Sequence, residues 1–258
     1  MKNFGYLFLL CMTSLVWAAD PADSIPDYIA EAVDSPERLD SDRVRDPYRK
    51  PAEILSFFGV KPGDQVADIG AGMGYYTDIL SRIVGETGKV ISHNQPFLTN
   101  FLPRLYGPNG RWAERFQSPQ WKTNVVQLVA EIEDPGLPRD LDLIMMGLTY
   151  HDMILHEVDR EKMNQAIFDA LRPGGILAIV DHHALQGSGS QHVGTLHRVE
   201  EAFVTREVLA QGFELIDQSD LLSHPEDTYD YNILDIMRDS ERRDRTDRFV
   251  LKFQKPLR

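Results

Sequence analysis

Residues 66–80 read VADIGAGMGYYTDIL. An apolar run closes on Asp68, three glycines follow at alternate positions (Gly70, Gly72, Gly74), and an apolar-periodic stretch begins at Tyr75. A short apolar run marks a buried strand, clustered glycines mark a turn, and spacing near 3.6 marks a helix. The stretch therefore predicts strand, tight turn and helix, and the question is what the turn holds. Two phosphate-binding patterns are excluded. No Lys-Ser/Thr follows the glycines, as a P-loop requires, and the dinucleotide fingerprint needs a glycine where Tyr75 stands. Asp68 places a negative charge beside the helix start. That repels a phosphate and suits a ligand carrying a cationic group and hydroxyls.

The segment DIGAGMG resembles the first motif of class I S-adenosylmethionine (SAM)-dependent methyltransferases, an acid followed by G-x-G-x-G. The resemblance implies SAM as cofactor. Asp68 would lie near its methionine end, and Gly70, Gly72 and Gly74 would let the backbone pass beneath it. LRPGGILAIVD (171–181) resembles the stretch leading into the family's fifth strand, and LDLIMM (141–146) its fourth. Four further stretches, RDPYRKP, TYHDM, DHHA…GSG…LHR and TDRFVLKFQKP, together resemble a group of predicted bacterial methyltransferases with export signals. One feature departs from the family. An acid that binds the ribose hydroxyls usually ends the second strand, whereas this chain has ISHNQ there. Asn94 takes that place, with an amide that can accept from one hydroxyl and donate to the other. After the third strand, Glu131 is the candidate neighbour of the adenine, with Asp134 as the alternative.

The rest of the chain alternates in the same way. Strands are predicted at Gln65–Ile69, Lys89–Ser92, Val125–Val129, Leu141–Met146 and Ile176–Val180, then at Phe213–Gln218 and Arg248–Phe253. Helices are predicted at Ala52–Phe58, Tyr75–Val84, Glu157–Ala170 and Val199–Gln211, with two short ones in the aromatic-rich stretch Pro96–Gln120. Continuously apolar strands alternating with helices indicate a parallel sheet covered on both faces. The expected fold is α/β and Rossmann-like: a doubly wound, seven-stranded, mostly parallel sheet with an antiparallel edge strand. Residues 51–258 form that domain, and residues 19–50 precede it as an arm, extended or briefly helical.

In such sheets ligands bind beyond the carboxyl ends of the strands. Two polar clusters fall there: Tyr150, His151 and Asp152 after the fourth strand, and Asp181, His182, His183 and His192 after the fifth, with His197 further on. His151, Asp181 and His182 are the candidate catalytic residues, because histidine and carboxylate side chains over a crevice can move a proton or orient a substrate. Each also has a structural alternative: Asp152 as a helix cap, Asp181 as an acceptor for loop N–H groups, His197 as a partner of Glu200 or Glu201. The same clusters contain metal-ligating residue types, but a divalent metal is not expected. The Asn-Pro-Pro-Tyr-type motif of amino-group methyltransferases is absent, and the formal net charge is −13. Both features disfavour a nucleic-acid partner, which would select a basic face. A small-molecule substrate is expected.

The chain begins MKNFGYLFLLCMTSLVWAAD. Lys2, the apolar run Phe4–Trp17, and the small residues Val16 and Ala18 give the layout of a secretory signal peptide over residues 1–18. The run is too short to span a bilayer comfortably. Export, to the periplasm, is the expectation. Cleavage after Ala18 would remove Cys11, the single cysteine, and leave no disulfide or thiolate chemistry. The 42% hydrophobic content is ample for the core of one large domain.

Overall fold

The computed structural model describes residues 24–106, 109–236, 239 and 242–257. The predicted leader, with Cys11, lies outside them. Seven strands are present: β1 (Gln65–Ile69), β2 (Lys89–Asn94), β3 (Val125–Val129), β4 (Leu141–Gly147), β5 (Leu171–His182), β6 (Glu214–Ser219) and β7 (Arg248–Gln254). They form one sheet in the order β3-β2-β1-β4-β5-β7-β6. The pairings from β3 through β5 are parallel, and β7 runs antiparallel to both β5 and β6, one place in from the edge. The order reverses between β1 and β4, and the crevice outside their carboxyl ends is where this architecture takes ligands.

The strand sequences explain why both faces are covered. Successive side chains alternate between faces. Val66, Leu143, Met145, Ala178 and Val180 pack on one side with Ile54, Phe58, Ile79 and Leu80. Ala67, Ile69, Ile144, Met146, Leu177 and Ile179 pack on the other with Met163, Ile167, Val204 and Val208. The first layer holds α1 (Asp27–Asp34), α4 (Pro51–Phe58) and α5 (Tyr75–Val84), and the chain between α1 and α4 forms the short helices α2 (Asp40–Arg43) and α3 (Asp46–Arg49). The chain between β2 and β3 forms α6 (Pro96–Phe101), α7 (Pro103–Tyr106), α8 (Arg111–Arg115) and α9 (Pro119–Asn124). Then come α10 (Tyr150–Leu155), α11 (Arg160–Ala170), α12 (Val193–Leu196), α13 (Glu201–Ala210) and α14 (Ile233–Ile236). None of the described helices is long and apolar enough to cross a membrane.

Several boundaries differ from the sequence reading. The stretch Pro96–Gln120 was expected to give two short helices, yet 96–124 holds four, because Pro96, Pro103 and Pro119 each start a new one. Strand β2 runs on to Asn94 rather than ending at Ser92, since Asn94 still pairs with Val129. The helix expected from Glu157 begins at Arg160, where the Asp159 carboxylate accepts from Lys162 N at 3.2 Å. Tyr150, His151 and Asp152, expected in a loop, open the short helix α10.

The segment before Pro51 is helical and packed: Ile29 is fully buried, and Ala32 and Val33 nearly so. Its RDPYRKP stretch closes on the end of the chain. Arg45 makes two bonds of 2.7 Å to Asp244 and Arg49 a third of 2.9 Å. Arg248 donates to Tyr48 O at 2.7 Å. Asp46 takes Arg38 in a bidentate pair and the Tyr75 hydroxyl at 2.6 Å, which ties the segment to the first residue of α5.

Candidate functional site

The glycine turn sits at the head of β1, as the sequence predicted, with Gly70, Gly72 and Gly74 all in the left-handed region (φ 64°, 58° and 81°). What a side chain would meet differs among them. At Gly70 it would collide with the Thr149 side chain, and at Gly74 with the indole of Trp121. At Gly72 nothing lies closer than Gly70 O at 4.0 Å. Two of the glycines are therefore demanded by protein packing. Gly72 alone leaves an open cradle.

Asn94 reaches the turn from β2. Gly72 N donates to Asn94 Oδ1 at 2.9 Å, and Asn94 Nδ2 donates to Gly72 O at 3.0 Å. Asn94 is wholly buried. Asp68 is buried too, and its carboxylate faces α5, where it accepts the Thr77 hydroxyl at 2.6 Å. Burial pushes the Asp68 carboxyl up to about 6, against the lowering effect of the Thr77 bonds. The structure thus turns both polar residues toward the scaffold of the turn. Glu131 and Asp134 are exposed, while Ile132 between them is buried and donates its N–H to Gln95 Oε1 at 3.0 Å. The Gln95 amide also donates to Met153 Sδ at 3.2 Å.

The three candidate catalytic residues are brought together. Asp181, fully buried at the end of β5, accepts from His151 Nδ1 at 2.7 Å, His151 N at 2.8 Å and His182 N at 2.7 Å. The other ring nitrogen of His151 lies 3.3 Å from Asp152. Burial alone would drive the His151 imidazole down, but Asp181 and Asp152 outweigh it and hold the ring well above its ordinary value, which favours the protonated form. His182 is the opposite case. Burial, then the neighbouring charges of His151, Arg248, Arg198 and Arg49, hold it well below the ordinary value and uncharged. Its Nδ1 meets the Thr246 hydroxyl at 2.8 Å, and its ring lies 5.6 Å from that of His151. The His197 ring, on a residue in the left-handed conformation (φ 54°), lies 5.7 Å from His151 on another side. His156 stacks on Phe97 at 3.8 Å. His183 and Glu201 form a separate pair at 3.3 Å.

Thr149, Gln95 and Thr246 contribute to this site and were missed in the sequence. No spacing rule points at them, since each acts through a fold-dependent contact at long range. Among the described residues, no group of three or more His, Cys, Asp or Glu side chains is arranged to hold a metal.

Comparison with known proteins places this geometry. The family model for protein-L-isoaspartate(D-aspartate) O-methyltransferase matches residues 30–97, which run from α1 through the turn and just past β2. A SAM-dependent methyltransferase from Aquifex aeolicus superposes with a TM-score of 0.56 at 22% identity, over 84% of this chain and 99% of that one. The chain has the class I SAM-dependent methyltransferase fold. That fold is also seen in the [4+2]-cyclase SpnF, with a TM-score of 0.59 at 15% identity, over 84% of this chain and 82% of that one. In sequence, the ubiquinone/menaquinone biosynthesis C-methyltransferase UbiE of Vibrio vulnificus is 30% identical over 124 residues. The match takes in 48% of this chain and 43% of that protein, so it spans less than half the length of that curated relative.

Proposed function

We propose that the protein is a SAM-dependent methyltransferase acting on a small molecule with an oxygen or nitrogen nucleophile. The observation that carries the reading is the open cradle at Gly72, between two glycines whose space the protein itself fills, on a methyltransferase fold. A buried His–Asp pair stands across the crevice, after β4 and β5. When bound, SAM supplies a methyl group on a sulfonium, already a good leaving group. The work left to the chain is positioning and exclusion of water. Gly70–Gly74 would lie beneath the cofactor, with Asn94 fixing the turn through Gly72. Asp181 and Asp152 hold the His151 ring from both of its nitrogens, so His151 sets the position of this wall of the crevice. His182, uncharged, is the group able to take the acceptor's proton. His151 and His182, alike as candidates in the sequence, then have different roles.

Calorimetry of the protein with SAM and with S-adenosylhomocysteine tests the cofactor. Binding of neither overturns the reading. A panel of phenols, amines and ring-activated carbon acceptors tests the substrate class. Transfer to carbon alone would replace the oxygen or nitrogen acceptor, and it is the competing chemistry because the Vibrio relative is named a C-methyltransferase. A second reading, an exported protein that holds a metal or metabolite on this fold without transferring a methyl group, rests on the leader-like residues 1–18. Export itself is proposed on the same residues. Intact mass from the envelope fraction should begin at Ala19, and a full-length cytosolic chain would refute it.

A further inference from the structure

We infer that Asn94 is a positioning residue for the cofactor turn, acting through the Gly72 backbone, and that an acid at this place would weaken adenosyl-ligand binding. The inference rests on the proposal that the turn carries SAM.

The Asn94 amide takes both main-chain groups of one residue: it accepts from Gly72 N at 2.9 Å and donates to Gly72 O at 3.0 Å. The N–H needs an acceptor and the carbonyl needs a donor, so the orientation of the amide is forced. The closed pair holds Gly72 in its left-handed conformation, φ 58°, and Gly72 is the glycine with open space above it. The Asn94 side chain is fully buried, although Gly72 itself is half-buried, so the side-chain end of each bond is shielded from water. A carboxylate matches only half of this pattern. It accepts from Gly72 N, but it sets a charged oxygen against Gly72 O where a donor stood, and it does so in a buried place. If the residue instead reached ribose hydroxyls directly, a carboxylate would bind them more strongly than an amide. The two roles predict opposite signs for one substitution.

The experiment is Asn94→Asp, with S-adenosylhomocysteine binding followed by calorimetry from pH 5 to pH 8. The expected result at pH 8 is binding weakened ~10-fold or more. The gap should close as the pH falls, because the protonated carboxyl offers one donor and one acceptor, as the amide does. Ionisable groups nearby are Asp68 on β1, His93 on β2, and Arg115 of α8, which donates to Met73 O at 2.7 Å. They are shared with wild type, whose own profile is the control. Binding as tight as wild type at pH 8, or tighter, overturns the inference.

Asn94→Ser removes the clasp without adding charge and covers the case in which the first variant does not fold. It should weaken binding equally at every pH, and wild-type affinity overturns the inference. If wild type binds no adenosyl ligand, the functional proposal fails. Amide hydrogen exchange in the unliganded protein then decides the inference alone: Asn94→Ser should lower protection at Gly72 and its neighbours while β1 and β4 keep theirs, and unchanged protection at Gly72 overturns it.

Discussion

Asp181→Ala should cost far more stability than its size suggests. The carboxylate is fully buried and accepts three hydrogen bonds of 2.7–2.8 Å, two from backbone N–H groups and one from a charged imidazole. Alanine leaves all three donors without an acceptor. Breaking a buried pair by removing one partner costs about 3–5 kcal/mol, and orphaned N–H groups fall within the same range when water enters the vacated space. Taking about 4 kcal/mol, the melting temperature should fall by roughly 10 °C for a chain of this size. His151→Ala should cost less, because Asp181 then still satisfies both backbone donors. The pH dependence follows from the raised His151 value. The stabilisation is complete below about 6.5 and is lost as pH rises through the folded-state value. The gap between wild type and Asp181→Ala should therefore narrow in alkaline buffer. Calorimetric melts at pH 7 and at higher pH measure both effects. A variant melting within ~2 °C of wild type at pH 7 would refute the structural role and leave Asp181 only as the candidate catalytic residue read from the sequence.

Other expectations follow from the same geometry. Gly72→Val should abolish S-adenosylhomocysteine binding in a folded protein that has lost about 1–3 kcal/mol to left-handed strain, and normal binding would make the turn a structural cap only. Gly74→Ala should destabilise without any ligand, because the methyl meets the Trp121 indole; a melt no lower than wild type would contradict that packing. The His151 imidazole should titrate well above 6.5 by NMR in wild type, and nearer the ordinary value in Asp152→Asn. Asp244→Ala should lower the melting temperature at neutral pH, since Arg45 and Arg49 lose their shared carboxylate. That carboxyl is held well below its ordinary value by Arg49 and Arg45 despite burial, so its contribution is full above about pH 4 and is lost progressively as pH falls from there through the folded-state value. Melts of the variant and wild type should converge in acid, and a gap that persists there would contradict the assignment.

The parts of this fold legible in sequence are those fixed by local rules. Gln65–Ile69, Tyr75–Val84 and Val125–Val129 were read to the residue, because apolar period and glycine punctuation act within a few positions. Short helices such as Tyr150–Leu155 were not, since six residues carry too little periodicity to separate a helix from a loop. The candidate site was legible as a set of residues and not as a set of roles. His151 and His182 look alike in the chain. What sets them apart is a pair of carboxylates around one ring and a hydroxyl and three arginines around the other. Asn94 was read as facing a ligand because family resemblance supplies a position, whereas its two bonds to Gly72 exist only once β1 and β2 lie side by side.

The same contacts show how the two halves of the crevice keep their spacing. Thr149 packs on Gly70 so closely that no side chain fits there, and it immediately precedes α10, which carries His151. The glycine turn and the imidazole are therefore referenced to each other through one threonine rather than through two independent loops. Asp181 then fixes His151 from β5, Thr246 fixes His182, and Arg248, two residues on, bonds back to Tyr48 in the segment that holds the start of α5. All four stretches that stood out in the sequence take part in this ring, and DHHA…GSG…LHR supplies Asp181 and His182 to it as well as His197 beside it. Positions in such a ring are constrained by their partners. A substitution at Asp244, which holds Arg45 and Arg49 of that segment, should therefore shift the His182 side of the crevice without touching the glycine turn, and this effect should read out as an altered acceptor KM.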